Sequence, residues 1–443
     1  MKYLLSVLLL ITLITEIDGQ KSTLNEKIKS TATGEINSFR NIYTDLHQNP
    51  ELSLLEIKTA AKMAEQLKKL GFEVTTGIGG NGVVGIFRNG TGKTIMLRTD
   101  MDALPVKENT GLPYASTVVM KDAKGNANPV MHACGHDLHM TVWLGTLTTL
   151  VGLKNEWRGT LIAVGQPAEE GTMGAQAMLD DNLFKRFPVP DFALAYHISP
   201  ELPAGTIGYY PGPIFAGVQT VEMTVYGSGG HGATPHKTID PIVLSARIIL
   251  DIQTIVSRRI NPVKPAVVTV GSIHGGTRAN VIPDEVKMLL TLRFFEMDVY
   301  KTIKESLISI SKGAAISAGL PDDKMPKLVF DESLDLPVSN DPVLVMEAVK
   351  SMKDILGEGN VISVDPAMVA EDFGKYGLTE DKVPIGLFWL GGVNRESYAE
   401  FQKNMKSLPP LHSSSFAPDF DPAFKTGVSA MSRTIIDLFG NKK

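Results

Sequence analysis

Met131-His132-Ala133-Cys134-Gly135-His136-Asp137-Leu138-His139 is the stretch around which the rest of the chain is organised. It holds three of the nine histidines and the only cysteine of the 443 residues. Thiolate and imidazole groups replace water around zinc-like ions more readily than carbonyls or amides do. Cys134 and His136 are two residues apart, so on an extended segment both side chains point the same way. The stretch therefore predicts a metal site.

The residues alone leave alternatives open. Cys134 is either a metal-bound thiolate, a buried apolar side chain or an exposed thiol, and the histidines could instead serve as hydrogen-bonding groups at a helix end. We favour metal binding because so dense a set of ligand types is uncommon by chance.

The length and composition of the chain limit the possible classes of protein. At 443 residues it exceeds the ~250–300 at which one hydrophobic core stops growing, so we predict two domains. Apolar residues make up 43% of it, enough for packed cores. The net charge of −5 and the pI near 6.0 give no basic surface, and we exclude nucleic acid as a partner.

The first residues, MKYLLSVLLLITLITEIDGQ, place Lys2 before an apolar run that ends near Ile14. This run is shorter than the ~20 residues of a membrane-spanning helix, and we interpret residues 1–19 as a signal peptide. An uncleaved anchor is the alternative. We predict a secreted or periplasmic protein without stable membrane insertion after cleavage. A single cysteine cannot form a disulfide within the chain.

Strand-like and helix-like segments alternate along residues 20–212. This order predicts an α/β fold, in which a mixed, mostly parallel sheet carries helices on both faces. A first helix is expected from Thr23 to about Leu46, and Asp421 with Pro422 is expected to open the last one. Ligands of such sheets collect at the carboxyl ends of the strands.

Residues 213–331 follow a different pattern, with elements in the order β-α-β-β-α-β. That order is typical of a ferredoxin-like α+β domain. We predict that it is an inserted lid between two parts of a catalytic domain, residues 20–212 and 332–443. Its Gly227–His236 segment surrounds His231 with small residues, but no Rossmann strand–turn–helix frames it, which disfavours nucleotide binding.

Carboxylates and histidines follow several apolar, strand-like runs. Glu169 and Glu170 are adjacent, so on an extended chain one could bind a metal ion while the other faces the water bound to it. Solvated surface charge is the alternative for this pair. Asp100 and Asp102 could orient a histidine ligand or a base, or merely cap a loop. His197 ends a strand and His412 lies in a polar loop, and each alone is weak support for a ligand.

The segments LHQNPELS, LRTDMDALP, HACGHD, PAEEG, HIS, GGHGATPH, GGTRANVIPDE, AEDF and HSSSF occur in this order. Together they resemble the aminoacylase/carboxypeptidase family of two-metal amidohydrolases. More narrowly, they resemble the subgroup that contains hippurate hydrolase and the plant auxin-conjugate hydrolases. The resemblance covers nearly everything after the signal peptide and implies a zinc-peptidase-like fold.

The resemblance also implies roles for individual residues. Two divalent metal ions per subunit, which could be zinc, manganese, cobalt or nickel, would be bound by Cys134, His136, Glu170, His197 and His412. Glu169 would be the general acid/base, and Asp102 would support a ligand. His231, from the lid of a partner subunit in a homodimer, would help to hold the substrate carbonyl and the oxyanion. Asn280 and Arg293 would contact the carboxylate end of the substrate.

Two positions depart from the family pattern. Asp100 stands where relatives with a His-x-Asp-x-x-Pro motif have a histidine ligand, which leaves its role open. Ser414 stands where the subgroup usually has proline, two residues after His412, and this change could alter the loop without removing the ligand. His132 and His139 are left with supporting roles.

The expected activity is cleavage of the amide bond of a small N-acyl amino acid by metal-activated water. Glu169 would take the proton of that water and pass it to the leaving nitrogen. A dipeptidase or carboxypeptidase of the same family is the alternative. A secreted binding protein without turnover is a second alternative, which the intact Glu169 disfavours.

Overall fold

The computed structural model describes residues 23–122, 125–331 and 334–440. The predicted signal peptide, residues 1–19, lies outside the described residues. Among the described helices, we find none with the length and apolar character needed to cross a bilayer.

The described chain forms two compact units. Unit 1 contains the residues up to Gly212 together with Ser339–Asp365 and the residues from Glu371 onwards. Unit 2 contains Pro213–Val338 and Pro366–Ala370. The predicted insertion, residues 213–331, lies within unit 2.

The elements before residue 216 are α1 (23–34), α2 (Ile36–Gln48), α3 (Ile57–Lys69), β1 (Glu73–Ile78), β2 (Gly82–Asn89), β3 (Thr94–Asp100), β4 (Val119–Lys121), β5 (Ala127–Pro129), α4 (His136–Gly152), β6 (Gly159–Gln166), α5 (Gly174–Asp180), α6 (Leu183–Arg186), β7 (Phe192–Pro203), β8 (Ile207–Tyr209) and β9 (Gly212–Phe215). Those that follow up to residue 330 are β10 (Gly217–Tyr226), β11 (Gly230–His231), α7 (Pro241–Thr254), β12 (Ala266–His274), β13 (Val281–Ile282), β14 (Glu285–Phe294), α8 (Met297–Ser317) and β15 (Lys327–Phe330). The remaining ones are β16 (Val338–Asn340), α9 (Pro342–Leu356), β17 (Val361–Ser363), a 3-10 helix (Asp372–Leu378), β18 (Ile385–Val393), α10 (Arg395–Gln402) and α11 (Phe420–Phe439).

Unit 1 is built on an eight-stranded sheet with the order β1-β2-β6-β3-β7-β18-β8-β17. The four central strands β6, β3, β7 and β18 run parallel to one another. Antiparallel pairs occur towards both edges, where β1 pairs with β2, β2 with β6, and β8 with β18. The predicted α/β fold with a large, mostly parallel sheet is confirmed.

The two faces of the central sheet are covered differently. Ile95 and Leu97 of β3 belong to the main hydrophobic core, which also contains residues of α2, α4, α9 and α11. Arg98, the next residue after Leu97, points to the opposite face because side chains alternate along a strand. There it lies over the ring of Phe373, in the 3-10 helix that contacts α5. Helix α4 is buried on nearly all sides, as expected for its apolar composition.

Two predicted helix boundaries are wrong. The first helix is interrupted at Glu35, so that α1 and α2 are separate. The last helix begins at Phe420 rather than at Asp421 and Pro422. The carboxylate of Asp421 is instead engaged by Arg40 of α2, whose Nη2 lies 2.6 Å from it. Asp421 therefore ties two helices together instead of capping one.

Unit 2 contains an antiparallel sheet with the order β12-β14-β10-β15. Its main elements follow in the order β-α-β-β-α-β, with α7 and α8 contacting β14. Buried and more exposed residues alternate along β14, so one face of the sheet packs on the helices. Buried residues of β14 and α8, among them Leu292 and Ile303, share a hydrophobic core. Unit 2 thus has a core of its own.

Candidate metal centre

Strand ends and loops of unit 1 bring the five predicted metal ligands together. Atoms of Cys134, His136 and His197 lie within 4.8 Å of one another, and the same holds for Cys134, Glu170 and His412. His136 also forms such a group with Glu169 and Glu170. Glu169 and Glu170 follow β6, and His197 lies in β7, which is parallel to β6 and separated from it by β3. The sheet topology therefore places these residues at one edge.

The distances between these side chains suit ligands that share metal ions. Cys134 Sγ lies 3.5 Å from His197 Nε2, and His412 Nε2 lies 3.4 Å from Glu170 Oε2. His136 Nε2 lies 3.8 Å from a carboxylate oxygen of Glu169 and from one of Glu170. Sulfur and nitrogen ligands arranged tetrahedrally around one zinc ion are separated by about 3.3–3.6 Å.

Two buried atoms of this cluster have no hydrogen-bond partner among the described residues. They are His136 Nε2 and Glu170 Oε1. Buried polar atoms nearly always have a partner. A cation between them would supply one, so the donor set fits a divalent metal centre.

Hydrogen bonds at the opposite ring nitrogens orient the two histidines. His136 Nδ1 lies 2.8 Å from the backbone carbonyl of Asp102, and His197 Nδ1 lies 2.9 Å from that of Ile198. A carbonyl only accepts, so Nδ1 carries the proton in both rings and Nε2 can bind a cation. Of the other predicted ligands, Cys134 is buried, whereas the His412 side chain is 53% exposed.

The loop that joins Cys134 to His136 requires a glycine. Gly135 has φ +78°, and a Cβ there would lie 2.7 Å from Ile198 Cγ2. Any other residue would be strained in that conformation and would displace the strand that carries His197. The backbone N–H of His412 donates to the carbonyl of Ala133, which fixes the last ligand loop against this segment.

The carboxylates of Asp102 and Glu56 fix the Glu169-Glu170 turn by accepting hydrogen bonds from its backbone. Asp102 accepts from the amides of Glu169 and Glu170 at 3.1 and 3.0 Å. Glu56 accepts from the amide of Ala168, which has φ 50°. The structure thus places Asp102 where it supports both His136 and the glutamate turn. The sequence reasoning missed Glu56, although it lies close to the quoted LHQNPELS segment.

Burial and neighbouring acids make Glu169 a strong base for a carboxylate. Burial, Glu371 and Glu170, in this order, raise the pKa of Glu169 well above its usual range. Burial also raises the pKa of Glu170 to about 7 despite the opposing effect of His136. General acid/base groups are commonly tuned towards neutral pH in this way.

A buried ion network lies beside Glu169. Arg98 donates to Asp100 and to Glu371, each at 2.8 Å, and lies 3.2 Å from Asp372. Asp100 is fully buried at the end of β3, so it does not cap an exposed loop. The sequence reasoning assigned no role to Arg98, Glu371 or Asp372. Their pairing could not be found locally, because Arg98 and Glu371 are far apart along the chain.

The remaining predicted residues lie elsewhere. His132 is buried, and burial lowers its pKa to about 4, so the ring is neutral. His231, Asn280 and Arg293 belong to unit 2, where His231 and Asn280 are exposed. The amide of Ala233 donates to Nδ1 of His231, so the proton of the neutral ring is on Nε2.

His47 of α2 connects the start of α4 to a preceding loop. Its Nδ1 lies 2.7 Å from Asp137 Oδ2 and its Nε2 lies 3.0 Å from Glu108 Oε1. Burial opposes the charged ring, but the hydrogen bonds to Asp137 and Glu108 outweigh burial and raise the pKa of His47 to about 10. The charged ring therefore stabilises the fold at neutral pH.

We expect the stability difference between the wild type and His47→Gln to depend on pH. The folded pKa lies above the unfolded value, so the stabilisation is fully present below about pH 6.5 and is lost as the pH rises through about 10. Urea unfolding at pH 6, 8 and 10 should show a difference that shrinks at each step. The exposed His274→Gln serves as the control, and a difference independent of pH would contradict a charged His47.

The sequence model of peptidase family M20/M25/M40 matches residues 96–408. The chain belongs to this family. Thermostable carboxypeptidase 2 of Saccharolobus solfataricus is 35% identical over 429 residues, which cover 95% of this chain and 100% of the relative. N-acetyldiaminopimelate deacetylase of Streptococcus sanguinis is 38% identical over 361 residues, 80% of this chain and 89% of the relative.

Two solved structures share the fold. A protein from methicillin-resistant Staphylococcus aureus described as an aminohydrolase has a TM-score of 0.79 at 29% identity, covering 94% of this chain and 100% of that one. A Bacillus subtilis protein described as a dinuclear metal-binding peptidase of the M20 family has a TM-score of 0.74 at 26% identity, covering 93% and 100%. The M20 chain described here is therefore a metal-dependent hydrolase of amide or peptide bonds.

Proposed function

We propose that this M20 hydrolase is an exported amidohydrolase that cleaves the amide bond of N-acyl amino acids, as in the hippurate and auxin-conjugate hydrolase subgroup. The observation that carries the proposal is the buried Glu169 beside a compact set of thiolate, imidazole and carboxylate ligands. The names of several relatives, the N-acetyldiaminopimelate deacetylases, support an N-acylated substrate. Export rests on the N-terminal sequence alone.

Two divalent metal ions per subunit are its cofactors, and zinc, manganese, cobalt and nickel all suit the mixed donor set. The residues proposed to hold them are Cys134, His136, Glu170, His197 and His412. When bound, the ions supply a water of lowered pKa and polarise the substrate carbonyl.

The side chains around the ions carry out the proton transfers. Glu169 takes a proton from the attacking water at a carboxylate oxygen and then donates it to the leaving nitrogen. Its raised pKa favours holding that proton between the two steps. Asp102 keeps the Glu169 backbone in place through the amide hydrogen bond, so the carboxylate is oriented before the substrate arrives.

Unit 2 is proposed to be the lid and the homodimerisation domain. His231 is assigned to the substrate carbonyl and the developing oxyanion, supplied by a second subunit. Asn280 and Arg293 are assigned to the carboxylate end of the substrate, since a guanidinium pairs well with a carboxylate. The partners are then a small N-acyl amino acid and a second copy of the chain, not nucleic acid or a membrane.

A carboxypeptidase or dipeptidase is the second candidate. The similarity to thermostable carboxypeptidase 2 favours it, because that relative is matched along its whole length. Both candidates need a free carboxylate on the substrate, and they differ in whether the acyl part is a simple acid or a peptide.

A substrate panel separates the candidates. Protein loaded in turn with Zn²⁺, Mn²⁺, Co²⁺ or Ni²⁺ is incubated with hippurate, N-acetyl-methionine, N-acetyldiaminopimelate, dipeptides and N-blocked peptides. We expect N-acyl amino acids to be cleaved fastest and chelator to abolish cleavage. Faster release of amino acids from peptides would favour the carboxypeptidase. Absence of any amide cleavage would contradict the proposed function.

We also expect Cys134→Ser to reduce metal content without unfolding the protein. The buried thiol fills little space, so serine preserves the packing, but a hydroxyl is a much poorer ligand than a thiolate. Elemental analysis after gel filtration measures the metal, and the urea midpoint of chelated protein measures the fold. Unchanged metal content would remove Cys134 from the site.

A further inference from the structure

A chain of buried contacts runs from the ion network to the predicted ligand His197. Asp100 Oδ2 accepts from Arg98 at 2.8 Å, and Asp100 Oδ1 lies 2.7 Å from His139 Nδ1. The amide of Ile198 donates to His139 Nε2 at 2.7 Å. None of these side chains is more than 5% exposed, and the same holds for His197. Solvent therefore does not compete for these hydrogen bonds.

One backbone amide determines which group donates and which accepts in each of these hydrogen bonds. Because the Ile198 N–H must donate, His139 Nε2 carries no proton, and the neutral ring has its proton on Nδ1. That proton is donated to Asp100. Both nitrogens of His139 and both carboxylate oxygens of Asp100 are thus engaged. His139 therefore has no ring nitrogen left for a metal ion, and each carboxylate oxygen of Asp100 contacts Arg98 or His139.

His139 acts where β3 stops pairing with β7, whereas β18 on the other side continues to pair with it. The pairing of β3 with β7 ends at Arg98 and Ala195, so β3 offers no partner to Ile198. The His139 ring supplies that partner and fixes the peptide group between His197 and Ile198. The next carbonyl, that of Ile198, accepts the Nδ1 proton of His197. His139 and Ile198 therefore orient both the backbone and the ring of His197.

We propose that Asp100 and His139 are positioning residues that hold the His197 ring in its metal-binding orientation. The inference rests on the proposed role of His197 as a ligand. His197 groups with Cys134 and His136, whereas Glu170 and His412 form a separate group with Cys134. Loss of the positioning contact therefore weakens one of the two metal sites more than the other.

Two substitutions of His139 separate this role from simple packing. Glutamine can place its amide oxygen near the position of Nε2 and keep the Ile198 contact, whereas asparagine keeps only a group near Nδ1. Losing a partner of a metal ligand typically costs about 10–100-fold in metal affinity. We expect His139→Asn to weaken the affinity for one ion by about that factor, and His139→Gln to stay closer to the wild type.

The test measures metal binding directly. Stepwise dissociation constants for Co²⁺ are obtained by competition with a chromophoric chelator, and the thiolate-to-cobalt absorption band reports binding at Cys134. The urea midpoint of metal-free protein reports packing. Asp100→Ala, which leaves His139 in place, gives the same readouts should His139→Asn fail to fold, and we expect it too to weaken one site.

The outcomes are distinct. The inference is supported if one dissociation constant rises in both His139→Asn and Asp100→Ala and stays close to the wild-type value in His139→Gln. Two unchanged dissociation constants alongside lower urea midpoints overturn it, because a packing role alone predicts that pattern. Wild-type protein that binds no Co²⁺ would instead overturn the proposed metal centre itself.

Discussion

Replacing Glu169 with glutamine is expected to lower kcat by about 10²–10⁴-fold, the usual contribution of a general acid/base. Glutamine has nearly the same shape but cannot accept and return a proton. The Glu169 side chain is buried and its amide is held by Asp102, so the turn does not depend on the carboxylate itself. We therefore expect the variant to fold and to keep its metal ions.

Activity on the best N-acyl amino acid and metal content by elemental analysis check this expectation together. Glu201→Gln, at an exposed glutamate of the same unit, is the matched control and should leave kcat unchanged. A fall in kcat with full metal occupancy assigns the proton transfers to Glu169. If kcat stayed within a few-fold of the wild type, the base would have to be sought elsewhere; if metal were lost, Glu169 would be a ligand instead.

The parts of the site that the sequence predicts are those with local patterns. HACGHD and PAEEG each place several ligand types within a few residues, and the strand-like runs before Asp100, Glu169 and His197 indicate one edge of a parallel sheet. The structure brings these segments together. The mostly parallel sheet followed from the same alternation of strands and helices.

The parts that the sequence did not predict depend on contacts between distant segments. Arg98 reads as an ordinary strand residue until the fold places Glu371 against it. Glu56 and the Ala168 amide likewise meet only in three dimensions. Boundary errors have a similar cause, since Asp421 has the composition of a helix cap but Arg40 engages it. Local propensity gives no information about such partners.

Arg98→Met is expected to destabilise unit 1 by about 3–5 kcal/mol, the typical cost of removing one partner of a buried ion pair. The arginine side chain is fully buried and contacts the carboxylates of Asp100, Glu371 and Asp372. Methionine fills a similar volume, so the loss comes from the unpaired carboxylates and not from a cavity. Even with Arg98 present, burial raises the pKa of Asp372 to about 7.

Removing the guanidinium should raise the pKa of Asp372 further, because Arg98 opposes the effect of burial on this carboxyl group. A carboxyl group whose pKa is higher in the folded than in the unfolded state makes the folded state less stable as the pH rises. The stability deficit of Arg98→Met relative to the wild type, measured by urea unfolding, should therefore grow as the pH rises above about 7. Lys264→Met is the control, since Lys264 pairs with Glu296 and Asp298 at the surface, where solvent screens the pair and its loss should change stability little. Equal losses in the two variants would show that burial does not govern the Arg98 network.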